Sequence, residues 1–181
     1  KQAVVDGVMK SLETGFVYTS HDMSQDFLDE VYGMLGEFFS KSTPQKETAK
    51  AEGTNGQRGY TGLLVETAAI SDVPDWKEML NWGKDIPTGH PLKKRYPHRF
   101  FNNVFPEDLV PGITGTLEKF HDQVLDLQLR FLRIIASGLK ASETFFDSFV
   151  PGGATLTRAI NYPAMNLAPD DNHLWAEEHG D

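Results

Sequence analysis

One amphipathic segment in the middle of the chain restricts the fold more than any other stretch. Apolar residues recur through residues 113–139 with a 3.6-residue period, which predicts one long α-helix. Further leucines widen the apolar stripe, so we expect this helix to be well buried. The residues that set the period are Leu117, Phe120, Val124, Leu127, Phe131, Ile134 and Ile135, and those that widen it are Leu125, Leu129 and Leu132.

Two features in and after this helix give more local predictions. His121 and Asp122 are adjacent, so their side chains leave the helix in different directions and make a poor chelating pair. We interpret both as surface or rim groups. Residues 142–149 are expected to form a short helix, capped by Ser142, that buries Phe145 and Phe146.

The first 40 residues predict two more helices and a strand. Residues 2–12 have helical spacing of apolar side chains, and residues 16–19 are β-branched or aromatic, which favours a short strand. Ser24 is placed to cap a second helix. The apolar face of that helix comprises Phe27, Val31, Met34, Leu35 and Phe38.

A polar segment rich in glycine, residues 46–62, predicts a mobile surface loop. Its glycines lack a strand–GxGxxG–helix context, which argues against a dinucleotide or phosphate site. Residues 75–82 have the mixed pattern of a strand. Residues 84–111 are rich in proline, glycine and basic side chains, and we interpret them as a surface loop anchored by Phe100, Phe101 and Phe105.

The pattern changes after the Pro-Gly-Gly at 151–153. Residues 154–162 alternate like a strand, and residues 173–181 are expected to form the next one. Helices therefore come first and strands last, which predicts an α+β protein. We divide it into a helical and mixed region, 1–153, and the start of a sheet region, 154–181. Because the sheet has only begun, we expect a chain truncated at its C-terminus.

Composition excludes several classes of site. The 181 residues include no cysteine, which excludes disulfides, zinc–thiolate and iron–sulfur sites, and a cysteine nucleophile. The formal net charge of −9 argues against a nucleic-acid or anionic-membrane partner. No apolar run approaches a membrane span and no targeting segment is visible, so we expect a cytoplasmic protein.

The chain ends on a His-x-Asp triplet. In an extended strand, residues two apart point to the same side, so His179 and Asp181 can aim an imidazole and a carboxylate at one point. These are two of the three ligands of a 2-His-1-carboxylate iron(II) site. Among the six histidines, only His179 has an acid two places on. A polar strand end and a zinc hydrolase site remain alternative interpretations.

Short motifs occur in a fixed order along almost the whole chain. They are GFVY at 15–18 with His21, FF at 38–39 with Pro44 and Lys46, RGY at 58–60 with Glu66, DWKE at 75–78 with GKDIP at 83–87, residues 102–111, residues 131–146, RAINYP at 158–163 and HGD at 179–181. Together they resemble the iron(II)- and 2-oxoglutarate-dependent oxygenases of the isopenicillin N synthase-like group. Two places depart from the usual pattern: Asn161 adjoins Tyr162, and two glutamates precede His179.

The resemblance implies a fold and a set of ligands. The fold is a double-stranded β-helix, or jelly roll, with flanking N-terminal helices, and the long helix would support it. Residues 154–181 would begin the iron-binding core. His179 and Asp181 would bind iron(II), and Tyr162 would help to hold 2-oxoglutarate.

The resemblance also implies substrate contacts. Arg158 is four residues before Tyr162 and faces the same side of a regular strand, where a buried guanidinium needs an anion. That anion is either a substrate carboxylate or a structural acid. Arg58 and Tyr60 fall in the segment that covers substrate in this group.

The implied activity is oxidation of a small organic substrate with O2 and release of succinate and CO2. Hydroxylation, desaturation, cyclisation and epimerisation are all compatible with this resemblance, and specialised metabolism is the setting that it suggests. Two further alternatives stay open. One is an iron oxidase or cyclase of the same group that does not use 2-oxoglutarate, and the other is a degenerate, non-catalytic binding module.

Overall fold

The computed structural model describes residues 1–68, 71–150 and 152–178. Within these ranges the chain is an α+β protein with one small sheet, as predicted. The helices are α1 (Gln2–Leu12), α2 (Gln25–Phe39), α3 (Thr43–Glu47), α4 (Pro91–Arg95) and α5 (Ile113–Gly138), the strands are β1 (Gly59–Thr61), β2 (Glu78–Trp82) and β3 (Thr157–Asn161), and short 3-10 segments cover Phe145–Ser148 and Met165–Leu167.

The sheet is antiparallel with β2 in the centre. Tyr60 pairs with Leu80, and Leu80 pairs with Ala159 on the other side. Every residue of β2 is buried, whereas β3 alternates between half-buried and exposed positions. One face of β3 is therefore turned to the core and the other is open.

The core lies between this sheet and helices α2 and α5. Phe38 of α2 meets the ring of Tyr60 edge-on, with 5.8 Å between ring centroids. Trp82 of β2 donates its indole N–H to the backbone oxygen of Leu117 in α5 at 2.9 Å. These contacts fix both helices on the same face of the sheet.

The helix predictions are largely confirmed. α1 occupies residues 2–12, and α5 ends one residue before the predicted limit. Ser24 caps α2 by accepting a hydrogen bond from the amide of Phe27 at 3.3 Å. The prediction that all of α5 is well buried is wrong for the described structure. Its second half is mostly half-exposed, since α1 and the 3-10 segment Phe145–Ser148 cover only part of it.

Four local predictions are wrong. Residues 16–19 form no strand, and Tyr18 is 97% exposed. Their side chains favour a strand, but no described strand lies beside them to pair with. The helix expected at 142–149 is a 3-10 segment that starts at Phe145, whose ring packs on Phe146 but stays half-exposed. Residues 46–62 are not a surface loop, since they include β1. Residues 173–178, the described part of the last predicted strand, are not extended into a sheet.

No helix within the described ranges combines the length and apolar character needed to cross a bilayer.

Candidate active site

The open face of β3 presents Arg158 together with the aromatic residue that follows the strand. Arg158 donates from Nε to the side-chain oxygen of Asn81 at 3.1 Å, and its Nη2 lies 3.6 Å from a carboxylate oxygen of Glu66. The side chain of Arg158 is about one third exposed, at 34%. The anion paired with it in this structure is therefore Glu66, which also lies 3.2 Å from the ammonium of Lys77.

Tyr162 lies immediately beyond the end of β3 and is half-exposed. Its ring centroid is 6.3 Å from that of Trp175, with the two planes tilted by 56°. Trp175 is in turn fixed by donating its indole N–H to the backbone oxygen of Pro163 at 2.7 Å. The phenol ring is thus supported on one side and accessible on the other.

Arg58 and Tyr60 are both buried, at 3% and 2% exposure. Tyr60 donates its hydroxyl to Glu78 at 2.5 Å, and burial together with this bond raises the pKa of Tyr60. Arg58 donates to the backbone oxygens of Gln57 and Thr155 at 2.7 and 3.4 Å, and burial lowers the pKa of Arg58. Neither side chain lies on the open face that carries Arg158.

A buried ion pair holds the centre of the sheet. Lys46 of α3 is 6% exposed and donates to both carboxylate oxygens of Glu78, at 2.9 and 2.7 Å. Tyr60 and Asn161 donate to the same carboxylate, Asn161 at 2.9 Å. Lys46 also reaches the backbone oxygen of Phe39 at 3.2 Å. Both carboxylate oxygens therefore accept hydrogen bonds from side chains of α3, β1 and β3. This buried network links the three elements and stabilises the fold.

His121 is buried, which corrects the prediction that it is a rim group. It is 4% exposed, and its Nδ1 lies 2.7 Å from Thr157 Oγ1 while its Nε2 lies 3.0 Å from Thr155 Oγ1. The hydroxyls can serve both ring nitrogens because each donates or accepts as needed. Asp122 does lie at the surface, paired with Lys84 at 2.7 Å. Because His121 and Asp122 are adjacent, their side chains leave the helix in different directions. The sequence alone does not show that His121 is the buried one.

We expect this burial to make stability depend on pH. Burial lowers the pKa of His121, and Lys84 and Arg58 lower it further against the opposing charge of Asp122. Between that lowered value and the unfolded value of about 6.5 the unfolded chain binds more protons, so stability falls as pH drops through this window. His121→Gln should flatten the fall in unfolding free energy between pH 7.5 and 5.5. His98→Gln, at an exposed position, should not change it, and an equal slope in both variants would contradict the assignment.

The segment that leads to the His-x-Asp triplet is docked against the residues that immediately precede β2. Residues 172–178, which we call the approach segment, contact residues 74–76 through His173, Leu174 and Glu177. His179 and Asp181 lie outside the described residues. Among the residues that the structure describes, no group of three metal-ligating side chains is close enough to hold an ion. The donor chemistry of His179 and Asp181, one imidazole and one carboxylate, suits iron(II).

Comparison with known proteins decides the family. Residues 1–108 match the profile of the family described as non-haem dioxygenase in morphine synthesis, N-terminal. The chain belongs to this dioxygenase family. Its relatives include a probable iron/ascorbate oxidoreductase of Dictyostelium discoideum, 28% identical over 92% of this chain and 48% of that protein. Azadirone synthase of Melia azedarach is 30% identical over 75% of this chain and 40% of that enzyme.

Two solved structures from this class of protein are similar in fold to the present chain. A 2OG-Fe(II) oxygenase family protein from Caulobacter crescentus matches 79% of this chain and 45% of its own, with 27% identity and a TM-score of 0.68. A full-length Neurospora crassa protein in complex with alpha-KG matches 88% of this chain and 49% of its own, also at 27% identity and a TM-score of 0.68. The chain thus spans about half the length of these relatives.

The sequence predictions do not include the buried ion pair that organises the sheet of this family member. Lys46 sits in a highly charged stretch, so nothing marked it as buried. Glu78 carried a signal, because a glutamate and an asparagine interrupt the otherwise apolar strand that includes Met79, Leu80 and Trp82. Charged and amide side chains inside such a strand indicate buried hydrogen-bonding partners.

Proposed function

We propose that the whole protein is a non-haem iron(II)- and 2-oxoglutarate-dependent oxygenase that oxidises a small organic substrate with O2. The observation that carries the proposal is the His-x-Asp triplet directly after a docked approach segment, in a chain of this dioxygenase family. We also propose that the whole protein completes a jelly roll, which is supported by the likeness to the 2OG-Fe(II) oxygenase from Caulobacter crescentus.

The residues of this chain have separate roles in the proposal. His179 and Asp181 would hold iron(II), and the accessible phenol of Tyr162 would donate a hydrogen bond to 2-oxoglutarate. When bound, the metal and 2-oxoglutarate supply the oxidising power, with succinate and CO2 as co-products. Arg158 would bind a substrate carboxylate in exchange for Glu66, because a guanidinium pairs well with either anion.

The prediction that Arg58 and Tyr60 contact substrate stays a prediction. Both side chains are buried, so direct contact would require the nearby backbone to move. Their contacts support the fold: Tyr60 joins β1 to β2 through Glu78, and Arg58 donates to the backbone oxygen of Thr155, which precedes β3.

Substrate class and location are part of the same proposal. A diffusible small molecule in the cytoplasm suits the acidic composition and absence of cysteine, and nucleic acid and membrane surfaces are the partners that net charge disfavours. Hydroxylation, desaturation, cyclisation and epimerisation remain the possible outcomes, because the position of the substrate C–H bond decides between them.

The test is an anaerobic titration of the full-length protein with iron(II) and 2-oxoglutarate, followed through the weak visible charge-transfer band of the chelate. We expect the band in the parent protein and its loss in His179→Ala and Asp181→Ala. His98→Ala, which removes an exposed histidine, should keep the band.

The other results of this titration would favour other functions. Iron binding without a band would favour the oxidase that does not use 2-oxoglutarate. In a separate activity assay, activity restored by zinc after iron chelation would favour a hydrolase. Absence of metal binding would favour a non-catalytic binding module and contradict the proposal.

A further inference from the structure

Residues 74–76 hold the approach segment through three hydrogen bonds. His173 donates from Nδ1 to the backbone oxygen of Pro74 at 2.9 Å. The backbone amide of Trp76 donates to the oxygen of Leu174 at 2.7 Å. The backbone amide of Glu177 donates to a side-chain oxygen of Asp75 at 3.1 Å. Of the three, only the last uses a side chain outside the approach segment, so it can be removed by substitution without altering the segment itself.

The carboxylate of Asp75 is itself rigidly placed. Asp75 is 4% exposed, and its second oxygen accepts from the ammonium of Lys77 at 2.7 Å. Lys77, with a side chain 12% exposed, also lies 3.2 Å from Glu66. The backbone amide of Asp75 donates to the backbone oxygen of Glu66 at 2.9 Å. One carboxylate oxygen and the backbone amide of Asp75 are therefore held by residues outside the approach segment, which leaves the other oxygen to accept from Glu177.

The bond to Glu177 lies close in sequence to the proposed metal ligands. Glu177 is two residues before His179. Two residues of chain reach at most about 7 Å, so restraining the Glu177 amide limits where the backbone of His179 can lie. A ligand held in this way loses less freedom when it binds a metal, and small displacements of a ligand are costly to affinity.

We propose that Asp75 is a positioning residue for the metal ligands, acting through its hydrogen bond to the backbone amide of Glu177. The inference rests on the proposed function, because it assigns Asp75 a role at the iron site of that enzyme. It differs from an ordinary contribution to folding, which would lower stability without changing the affinity of the folded protein for metal.

The test compares three variants of the full-length protein. Asp75→Ala removes the acceptor, and Asp75→Asn keeps an oxygen that can accept from Glu177. Glu107→Ala is the matched control, because Glu107 likewise accepts from backbone amides, those of Gly112 at 2.6 Å and Thr114 at 3.0 Å, at the start of α5. Two quantities are measured: the anaerobic Kd for iron(II) and, in the metal-free protein, hydrogen exchange of the amides at 174–177.

We expect Asp75→Ala to raise the iron(II) Kd by about 10-fold or more and to speed exchange at the Glu177 amide. Asp75→Asn should stay within about threefold of the parent, since the acceptor oxygen remains. Glu107→Ala should leave both quantities unchanged in the folded protein.

Distinct results would overturn the inference. If the parent binds iron(II) and Asp75→Ala binds it equally well, Asp75 does not position the ligands although the proposed function stands. If Asp75→Asn weakens binding as much as Asp75→Ala, charge and not the hydrogen bond is responsible, and the assignment fails. If the parent does not bind iron(II), the proposed function falls and the inference falls with it.

Discussion

Glu78→Gln is expected to lower the free energy of unfolding by about 3–5 kcal/mol, the usual cost of removing one partner from a buried ion pair. The substitution would leave the ammonium of Lys46 buried without an anion, and it would weaken the acceptor for Tyr60. Because Glu78 is 1% exposed, water cannot replace the lost charge. Urea denaturation followed by circular dichroism measures the change.

A surface pair and a double variant control this experiment. Asp122→Asn breaks the ion pair between Asp122 and Lys84, in which both side chains are about half exposed. It should lower the free energy of unfolding by less than about 1 kcal/mol. The double variant Lys46→Met with Glu78→Leu should recover part of the stability lost by Glu78→Gln, since no charge is then left unpaired. The recovery should be incomplete because Tyr60 and Asn161 lose their acceptor. A loss in Glu78→Gln no larger than that in Asp122→Asn would show that the buried pair is not needed.

Gly59→Ala is expected to cost about 2–5 kcal/mol, from backbone strain together with a steric overlap. Gly59 has φ +70°, in the left-handed region, and a Cβ there would overlap the backbone oxygen of Ala49 and lie 2.8 Å from the backbone nitrogen of Ala51. The oxygen of Ala49 accepts a hydrogen bond from the backbone amide of Tyr60 in β1 at 2.9 Å, so it cannot move away without breaking that bond.

Gly53→Ala separates strain from overlap. Gly53 has φ +74°, close to that of Gly59, but an added Cβ there meets no atom within 4 Å. It should therefore cost only the backbone term, about 1–2 kcal/mol. Thermal or urea denaturation of both variants gives the comparison, and equal losses would mean that the contact with Ala49 relaxes freely.

Helices were the part of the fold that the sequence predicted best. α2 combines a capping serine with apolar side chains such as Phe27, Val31 and Leu35 on one face, so both its start and its buried side follow from local chemistry. β3 was also predicted, because alternation is a local property of its five residues.

Residues 46–62 could not be predicted in the same way, because their burial depends on partners far along the chain. β1 is only three residues long, and it is a strand because β2 offers it a register. Lys46 is buried because Glu78, 32 residues later, provides its anion. His121 is buried for a similar reason, since two threonines more than 30 residues away meet its ring.

The residues of the candidate site also fall into those that local sequence predicts and those that depend on distant partners. The triplet of His179 and Asp181 was visible as spacing, and Arg158 and Tyr162 as positions on one strand. Asp75 was visible only as part of a motif, because its contact with Glu177 joins residues 102 apart. Spacing within the sequence is enough to nominate candidate ligands, whereas a contact such as that of Asp75 with Glu177 becomes visible only in the folded structure.

The central position of β2 has a consequence for the chain while it is being synthesised. One edge of β2 pairs with β1, but its other edge must wait for β3, and Glu78 and its partner Asn161 are 83 residues apart. At translation rates of about 5–20 residues per second, β2 emerges roughly 4–17 s before β3. During that interval a strand containing Met79, Leu80 and Trp82 presents unpaired backbone groups that other nascent chains can join.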